Sequence, residues 1–350
     1  MSIIDNTVDK ELIDLVDSLF GQAADSGEDH RSIWGTLSEL GLARLTGDES
    51  SGGSGAGWGE AAALLSGAAA KGVPVPYVET DLLAGWLLEQ AGLPVDDRPR
   101  TAAIVDADGR GHRVAWAREV SSIVVVQAKE DGWAVSDVPA ESVEIVDHPA
   151  LGREPRAGIR VDVAKLDQAE SGSLSDAQFA VHQLRGALAR SLQTVAALET
   201  AADLAKEYVV TRHQFGRPLA KFQSVQNLIV DAVAEATLAR SAVDEALYEA
   251  IETGLEGPDS VFRVAVAKSV VGRAASVVVR NTHQALGAIG TTEEHSLHKF
   301  TNAALTWRSE FGSIRVWEEA LGAAAGAGSV DDVWAMVVGA GPVTAPAVGR

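Results

Sequence analysis

The apolar positions of this chain change their period twice. From Asp9 to about Leu93 they recur at helical spacing: Leu12, Val16 and Leu19 share one face, as do Trp34, Leu37 and Leu40 before a stop at Gly41. The run Glu49–Gly57, ESSGGSGAG, reads as a loop, and another helix follows from about Glu60. Pro74 and Pro76 break the chain ahead of TDLLAGWLLEQAG, for which Thr80 is the expected N-cap. Between about Thr101 and Val163 the texture turns to short β-rich runs: TAAIVDA, HRVAWA, SSIVVVQA, WAVSDV and SVEIVDH. The turn signals DGRG and KEDGW part them, so they predict a small antiparallel sheet domain. From about Ser175 the helical period returns, in long segments with few breakers. Leu184, Leu188, Leu192 and Val195 start one stripe, Val225, Ile229 and Val233 a second, and a third helix runs from about Ser260 to Leu286. Long antiparallel helices with short connections make a bundle.

This pattern gives a mainly α chain with a small β domain. The expected division is 1–100 for an N-terminal helical domain, 101–170 for the β domain, 171–338 for the bundle and 339–350 for a frayed tail rich in Gly, Pro and Ala.

Composition removes several function classes. The chain has 350 residues, 46% of them hydrophobic, enough for a sizeable core and two or three domains. No apolar run approaches the roughly 18–20 residues of a membrane span. The start, MSIIDNTVDKELIDLV, has acidic residues where a signal peptide has basic ones. With no cysteine there is no disulfide, thiolate metal site or cysteine nucleophile. The expected setting is cytoplasmic. The formal net charge of -20 repels nucleic-acid phosphates and slows an anionic ligand unless a local basic patch compensates; its first effect is to keep a helical surface soluble.

Two motifs carry chemistry. RHQFGRPLAKFQ, Arg212 to Gln223, joins two long helices. Gly216 and Pro218 make the turn, while Arg212 and Gln214 project a guanidinium and an amide beside the Phe215 ring. That set suits a phosphate attached to a flat heterocycle, and a charged loop between bundle helices is the plainer alternative. HQALGAIGTTEEHSLHKF, His283 to Phe300, has Gly287 and Gly290 at a helix C-terminus, with Gln284 one turn earlier. His295, His298 and Glu294 are too few convergent ligands for a zinc-type site, so no metal is expected.

The two motifs, their order and their separation resemble the acyl-CoA dehydrogenase family, with its R-x-x-F-G-x-x-L…FQ turn and its Q-x-x-G-x-x-G segment followed by T-x-E. The resemblance covers essentially the whole chain and is strongest over Tyr208–Gly312. It implies FAD: Arg212 on the pyrophosphate, Gln214, Phe215 and Gln223 seating the dinucleotide, and Gln284 and Gly287 holding its far end across a subunit interface. Ala288 stands where many relatives have a second glycine. The resemblance further implies an acyl-CoA substrate, a homo- or hetero-oligomer with another such subunit, and an electron-transfer flavoprotein as acceptor.

The family's reaction needs a carboxylate base α to the thioester. One usual position lies in a Y-E-G-T-like segment, which here reads E-F-G-S, so Phe311 takes the base position and Glu310 falls one residue early. The other usual position is Gly186. Glu310 is the candidate base, with the alternatives of an exposed carboxylate or a salt-bridge partner of Arg308. The T-E-P-x-A-G-S-type flavin segment has no counterpart over Leu93–Thr101, which shortens the β domain. Three readings follow: a non-catalytic subunit lending its FAD residues to a heteromer, a self-sufficient dehydrogenase, or a flavin-free helical scaffold.

Overall fold

The computed structural model of the protein describes residues 3–339, 341 and 343–346. The tail expected to fray falls partly outside them, at 340, 342 and 347–350.

The N-terminal part is helical: α1 (Ile4–Thr7), α2 (Lys10–Ser26), α3 (His30–Glu39), α4 (Trp58–Lys71) and α5 (Trp86–Gln90). Asp9 and Asp29 cap α2 and α3 through their carboxylates. One expectation is corrected here. The segment ahead of α5, Val78–Gly85, is wound as a π-helix and is buried throughout, so Thr80 lies inside it and does not cap it. The Thr80 hydroxyl instead accepts from the Arg100 amide (3.0 Å) and donates to the Arg100 carbonyl (2.9 Å), pinning this helix to the first strand. The Leu82 carbonyl within this π-helix accepts from Arg185 Nε at 2.9 Å, which ties the segment to the bundle.

The β domain holds β1 (Arg100–Val105), β2 (Arg110–Ala115), β3 (Ser122–Lys129), β4 (Gly132–Pro139), β5 (Glu144–Asp147), β6 (Arg156–Arg160) and β7 (Gly172–Leu174), with the short α6 (Val163–Leu166) between the last two strands. The strands form two sheets, ordered β1-β3-β4-β7 and β2-β6-β5. All their pairings are antiparallel except β1 with β3, which run parallel because β2 crosses into the other sheet. The run SSIVVVQA is apolar at consecutive positions because β3 is covered on both faces. Ile123 and Val125 pack toward the second sheet, and Val124 and Val126 pack with Leu87, Leu88 and Phe179 of the helices.

The bundle follows: α7 (Asp176–Thr211), α8 (Gln223–Thr253), α9 (Ser260–Leu286), α10 (Leu297–Trp307), α11 (Ile314–Gly326) and α12 (Val330–Gly339). Ser175 starts α7 with a capping box, its Oγ on the Gln178 amide (3.2 Å) and its own amide on the Gln178 side chain (3.0 Å). One continuous core joins α2–α4 to the bundle. Among the described residues no helix is long and apolar enough to cross a membrane.

Candidate flavin-binding end and acyl-CoA cleft

The end of α7 leads into a two-residue hairpin, β8 (His213–Gln214) and β9 (Arg217–Pro218). Its central residues, Phe215 and Gly216, both have positive φ, +53° and +75°. Two-residue hairpins favour this geometry, but it strains a phenylalanine. Phe215 is 90% exposed all the same, its ring edge-on to Phe222 at 6.1 Å. Arg217 lies 4.1 Å over the other ring, Phe222, and so braces the hairpin, a role its place in the motif did not announce. Arg212, Gln214 and Gln223 are exposed, and no carboxylate forms an ion pair with Arg212 among the described residues.

Because α8 and α9 run antiparallel, the start of one and the end of the other share one end of the bundle. Asn281 Nδ2 donates to the Leu228 carbonyl there (3.2 Å), and Tyr208 at the end of α7 meets His295 edge-on. The topology therefore brings Arg212, Gln214, Phe215 and Gln223 to the same end as Gln284 and Gly287. Gln284 is exposed, and Gly287 ends α9 at φ +66°. His283 is turned inward onto Thr301 Oγ1 (3.0 Å), and burial lowers its pKa. His295 accepts from the Leu297 amide (3.1 Å), and His298 Nδ1 lies 2.8 Å from the His295 carbonyl; these contacts are local. Among the described residues no three His, Asp or Glu side chains converge as a metal site requires.

These residues fit the dinucleotide. In a chain of net charge -20, an arginine with no carboxylate partner among the described residues, flanked by exposed amides and an exposed ring, has the donor chemistry that a phosphate ester requires.

The second region lies between the β domain and the bundle, where a cleft of about 1160 Å³ opens. Its walls include β1, Gln127 of β3, Trp133 of β4, His182, Gln183 and Arg190 of α7, Glu79 of the π-helix, and the loop Ser309–Phe311. Gly186 and Phe311, the two positions at which the resemblance places a base, face each other here. The Phe311 ring lies on Gly186 so closely that a Cβ added to the glycine would come within 2.3 Å of the ring. Phe311 holds this pose with φ +53°, its carbonyl accepting from Trp317 Nε1 at 2.9 Å.

Glu310 is neither exposed nor paired with Arg308, which corrects both alternatives drawn from the sequence. Arg308 donates to Ser276 Oγ at 2.8 Å. The Glu310 carboxylate lies between Arg156 Nε (2.8 Å) and Arg190 Nε (2.7 Å). Arg156 also holds Glu154 (2.9 Å), which takes Trp307 Nε1 (2.9 Å), while Arg190 holds Glu79 and Gln193 (2.6 Å). Burial alone would raise the Glu310 carboxyl; the two guanidiniums outweigh it and hold it below the usual range. Glu79 goes the other way, raised by burial despite Arg190. Lys268 donates to the carbonyls of Glu310 (2.7 Å) and Arg308 (3.2 Å), fixing the loop, and burial pushes its ammonium down to about 7. A neutral amine keeps two N–H donors, enough for both carbonyls.

Sequence reasoning missed Glu79, Glu154, Arg156 and Arg190. The one available signal was Arg190, a charge within the apolar run of α7.

The sequence model described as "Acyl-CoA dehydrogenase, C-terminal domain" matches residues 178–325. The acyl-CoA dehydrogenase FadE27 of Mycobacterium tuberculosis is 26% identical over 308 residues, covering 78% of this chain and 82% of that protein. Among solved structures, the ChsE4-ChsE5 complex from Mycobacterium tuberculosis gives a TM-score of 0.79 at 20% identity, over 92% of this chain and 98% of that one. Butyryl-CoA dehydrogenase from Megasphaera elsdenii gives 0.74 at 18%, over 90% and 97%. Residues 178–325 thus match the C-terminal domain of acyl-CoA dehydrogenases in sequence, and along nearly its whole length the chain has the fold of the acyl-CoA dehydrogenase structures.

Proposed function

We propose that this chain is a subunit of an FAD-dependent acyl-CoA dehydrogenase. It lends Arg212, Gln214, Phe215, Gln223, Gln284 and Gly287 to a dinucleotide shared with a second acyl-CoA dehydrogenase subunit, and it provides no base from the family's two positions. The observation that carries this reading is the closure of both positions at once, with Phe311 packed onto Gly186. The one nearby carboxylate from the motif, Glu310, is engaged by two arginines, whose field makes it a weaker proton acceptor. FAD, when bound, supplies the hydride acceptor for α,β-dehydrogenation of the thioester. This chain's part is to bind and orient: Arg212 neutralises pyrophosphate charge, the braced hairpin presents Phe215 and Gln214, and the partner subunit contributes the proton acceptor. Electron transfer onward to an electron-transfer flavoprotein completes the cycle. FadE27 is named an acyl-CoA dehydrogenase, which supports the activity, and the ChsE4-ChsE5 complex is by name an assembly of two chains, which supports the heteromeric reading.

The self-sufficient alternative would draw on Glu310 and would have to release it from Arg156 and Arg190. The scaffold alternative leaves the exposed, strained Phe215 and the unpaired Arg212 without a purpose. Co-expression with acyl-CoA dehydrogenase homologues from the same genome, followed by size-exclusion chromatography and flavin absorbance, separates the three. A flavin-bound complex formed only with a partner is the expected result. A yellow homo-oligomer reducible by an acyl-CoA would overturn it in favour of the self-sufficient enzyme.

A further inference from the structure

The buried ionic cluster also bears on what the cleft can hold. Glu79 is 2% exposed and lines the cleft beside Arg190, Glu310 and Phe311. Its Oε1 accepts from Arg190, whereas its Oε2 is buried without a hydrogen-bond partner among the described residues. The neighbouring charges are already matched. Arg190 has Glu310 and Gln193 besides Glu79, and Arg156 has Glu154 and Glu310. The guanidiniums therefore call for no anionic ligand. Both oxygens of Glu310 lie on arginines, so the free carboxyl oxygen of this cluster on the cleft wall belongs to Glu79. Other residues lining the cleft also carry buried polar atoms without a hydrogen-bond partner among the described residues: His182 Nδ1, Gln183 Nε2, Gln127 Oε1 and Arg190 Nε, the last of them ion-paired with Glu310.

A plain alkyl chain laid along this wall would leave those atoms unsatisfied, which is unfavourable in a water-excluded site. A ligand hydroxyl resolves the problem: it donates to Glu79 when the carboxyl is ionised and accepts from it when it is protonated. We propose that this chain's own cleft takes an acyl group bearing a hydroxyl, which Glu79 Oε2 recognises, in preference to an unsubstituted alkyl chain. The inference rests on the reading above that the protein handles acyl-CoA thioesters.

The test uses the assembled, flavin-loaded protein and calorimetric Kd values for hexanoyl-CoA against its ω-hydroxy counterpart, and for the octanoyl pair likewise. In the wild type the hydroxylated member binds roughly ten- to hundredfold tighter in at least one pair. Glu79→Leu abolishes or reverses that preference; Arg190 keeps Glu310 and Gln193, so its charge stays paired. Glu79→Gln retains a hydrogen-bonding group and the preference, and it serves as the informative variant if the leucine form fails to fold. Equal binding within both pairs, or a preference that Glu79→Leu leaves unchanged, overturns the inference while the flavin content still supports the function. A protein that takes up no flavin in any assembly overturns the function and this inference with it.

Discussion

The flavin-type end of the bundle and the cleft wall use the same residue types to opposite ends. At the bundle end, Arg212 is exposed and unpaired and Phe215 is strained and 90% exposed. On the cleft wall Arg190 is buried and paired, as is Arg156 behind it, and Phe311, strained by the same positive φ, is packed onto Gly186. On the function proposed above the first region is completed by a second chain, whereas the contacts of the second are made within this one. Buried ion pairs of this kind add little net stability over a hydrophobic isostere, yet they hold Glu79 of the N-terminal part, Arg156 of the β domain and Arg190 of the bundle in one cluster. The wall thus forms a junction between the three parts of the chain. Perturbing it should cost stability, whereas perturbing the hairpin should cost only binding.

The largest effect is expected from Arg190→Ala, which strands the buried Glu79 carboxylate and leaves Glu310 with Arg156 alone. Removing one partner of a buried pair costs on the order of 3–5 kcal/mol, so thermal unfolding should show a large drop in midpoint. A midpoint near that of the wild type would mean that the cluster is solvated and the wall open.

Acid should break the same wall through His182. Its ring is buried among Trp86, Phe179 and Phe311, and burial, reinforced by Arg185, lowers its pKa from 6.5 to about 3. Between those values the unfolded chain binds a proton that the folded chain does not. The stability contributed by an uncharged His182 is therefore fully present above pH about 6.5 and is lost as pH drops toward 3, by an amount on the order of a few kcal/mol. Glu310, held low by its arginines, also loses stability in acid, but only below its ordinary value of 4.5. Denaturant titrations at a series of pH values test this: His182→Phe should flatten the profile between pH 6.5 and 4.5, and an unchanged slope there would remove His182 as the cause.

Gly186→Ala is a smaller perturbation of the same contact. The added methyl meets the Phe311 ring, and overpacking of this kind costs about 1–3 kcal/mol. Phe311→Leu should relieve part of that cost in the double variant, giving a coupling energy in a double-mutant cycle. Strict additivity would show that the ring does not rest on Gly186 in solution.

What could be read from sequence divides along the same line. The hairpin and the α9 terminus were legible because each is a local motif: turn chemistry at Gly216 and Gly287 and side chains within a dozen positions. The ionic wall was not, because Glu79, the Glu154–Arg156 segment, Arg190 and Glu310 come from four separate places in the chain and meet only in the folded structure. β6 was missed for a related reason. Its sequence, RAGIR after Pro155, has no alternation to read, and the strand is placed by pairing with β2 and β5. The parallel β1–β3 pair follows from β2 leaving the sheet, a tertiary choice that no strand pattern encodes.

The smallest effect on stability, and the sharpest contrast, belongs to Arg212→Ala. An exposed arginine with no ion pair leaves nothing unsatisfied when removed, so the folded chain should change by no more than about 0.5 kcal/mol. In the assembled protein the same change deletes a charge-assisted contact to pyrophosphate, worth on the order of 1.5–3 kcal/mol, so FAD affinity should fall roughly ten- to hundredfold. Thermal midpoint of the single chain and flavin retention of the complex after gel filtration are the paired readouts. A loss of midpoint with flavin retained would mean that the arginine is structural, and the contrast between an incomplete end and a finished wall would fail at its incomplete side.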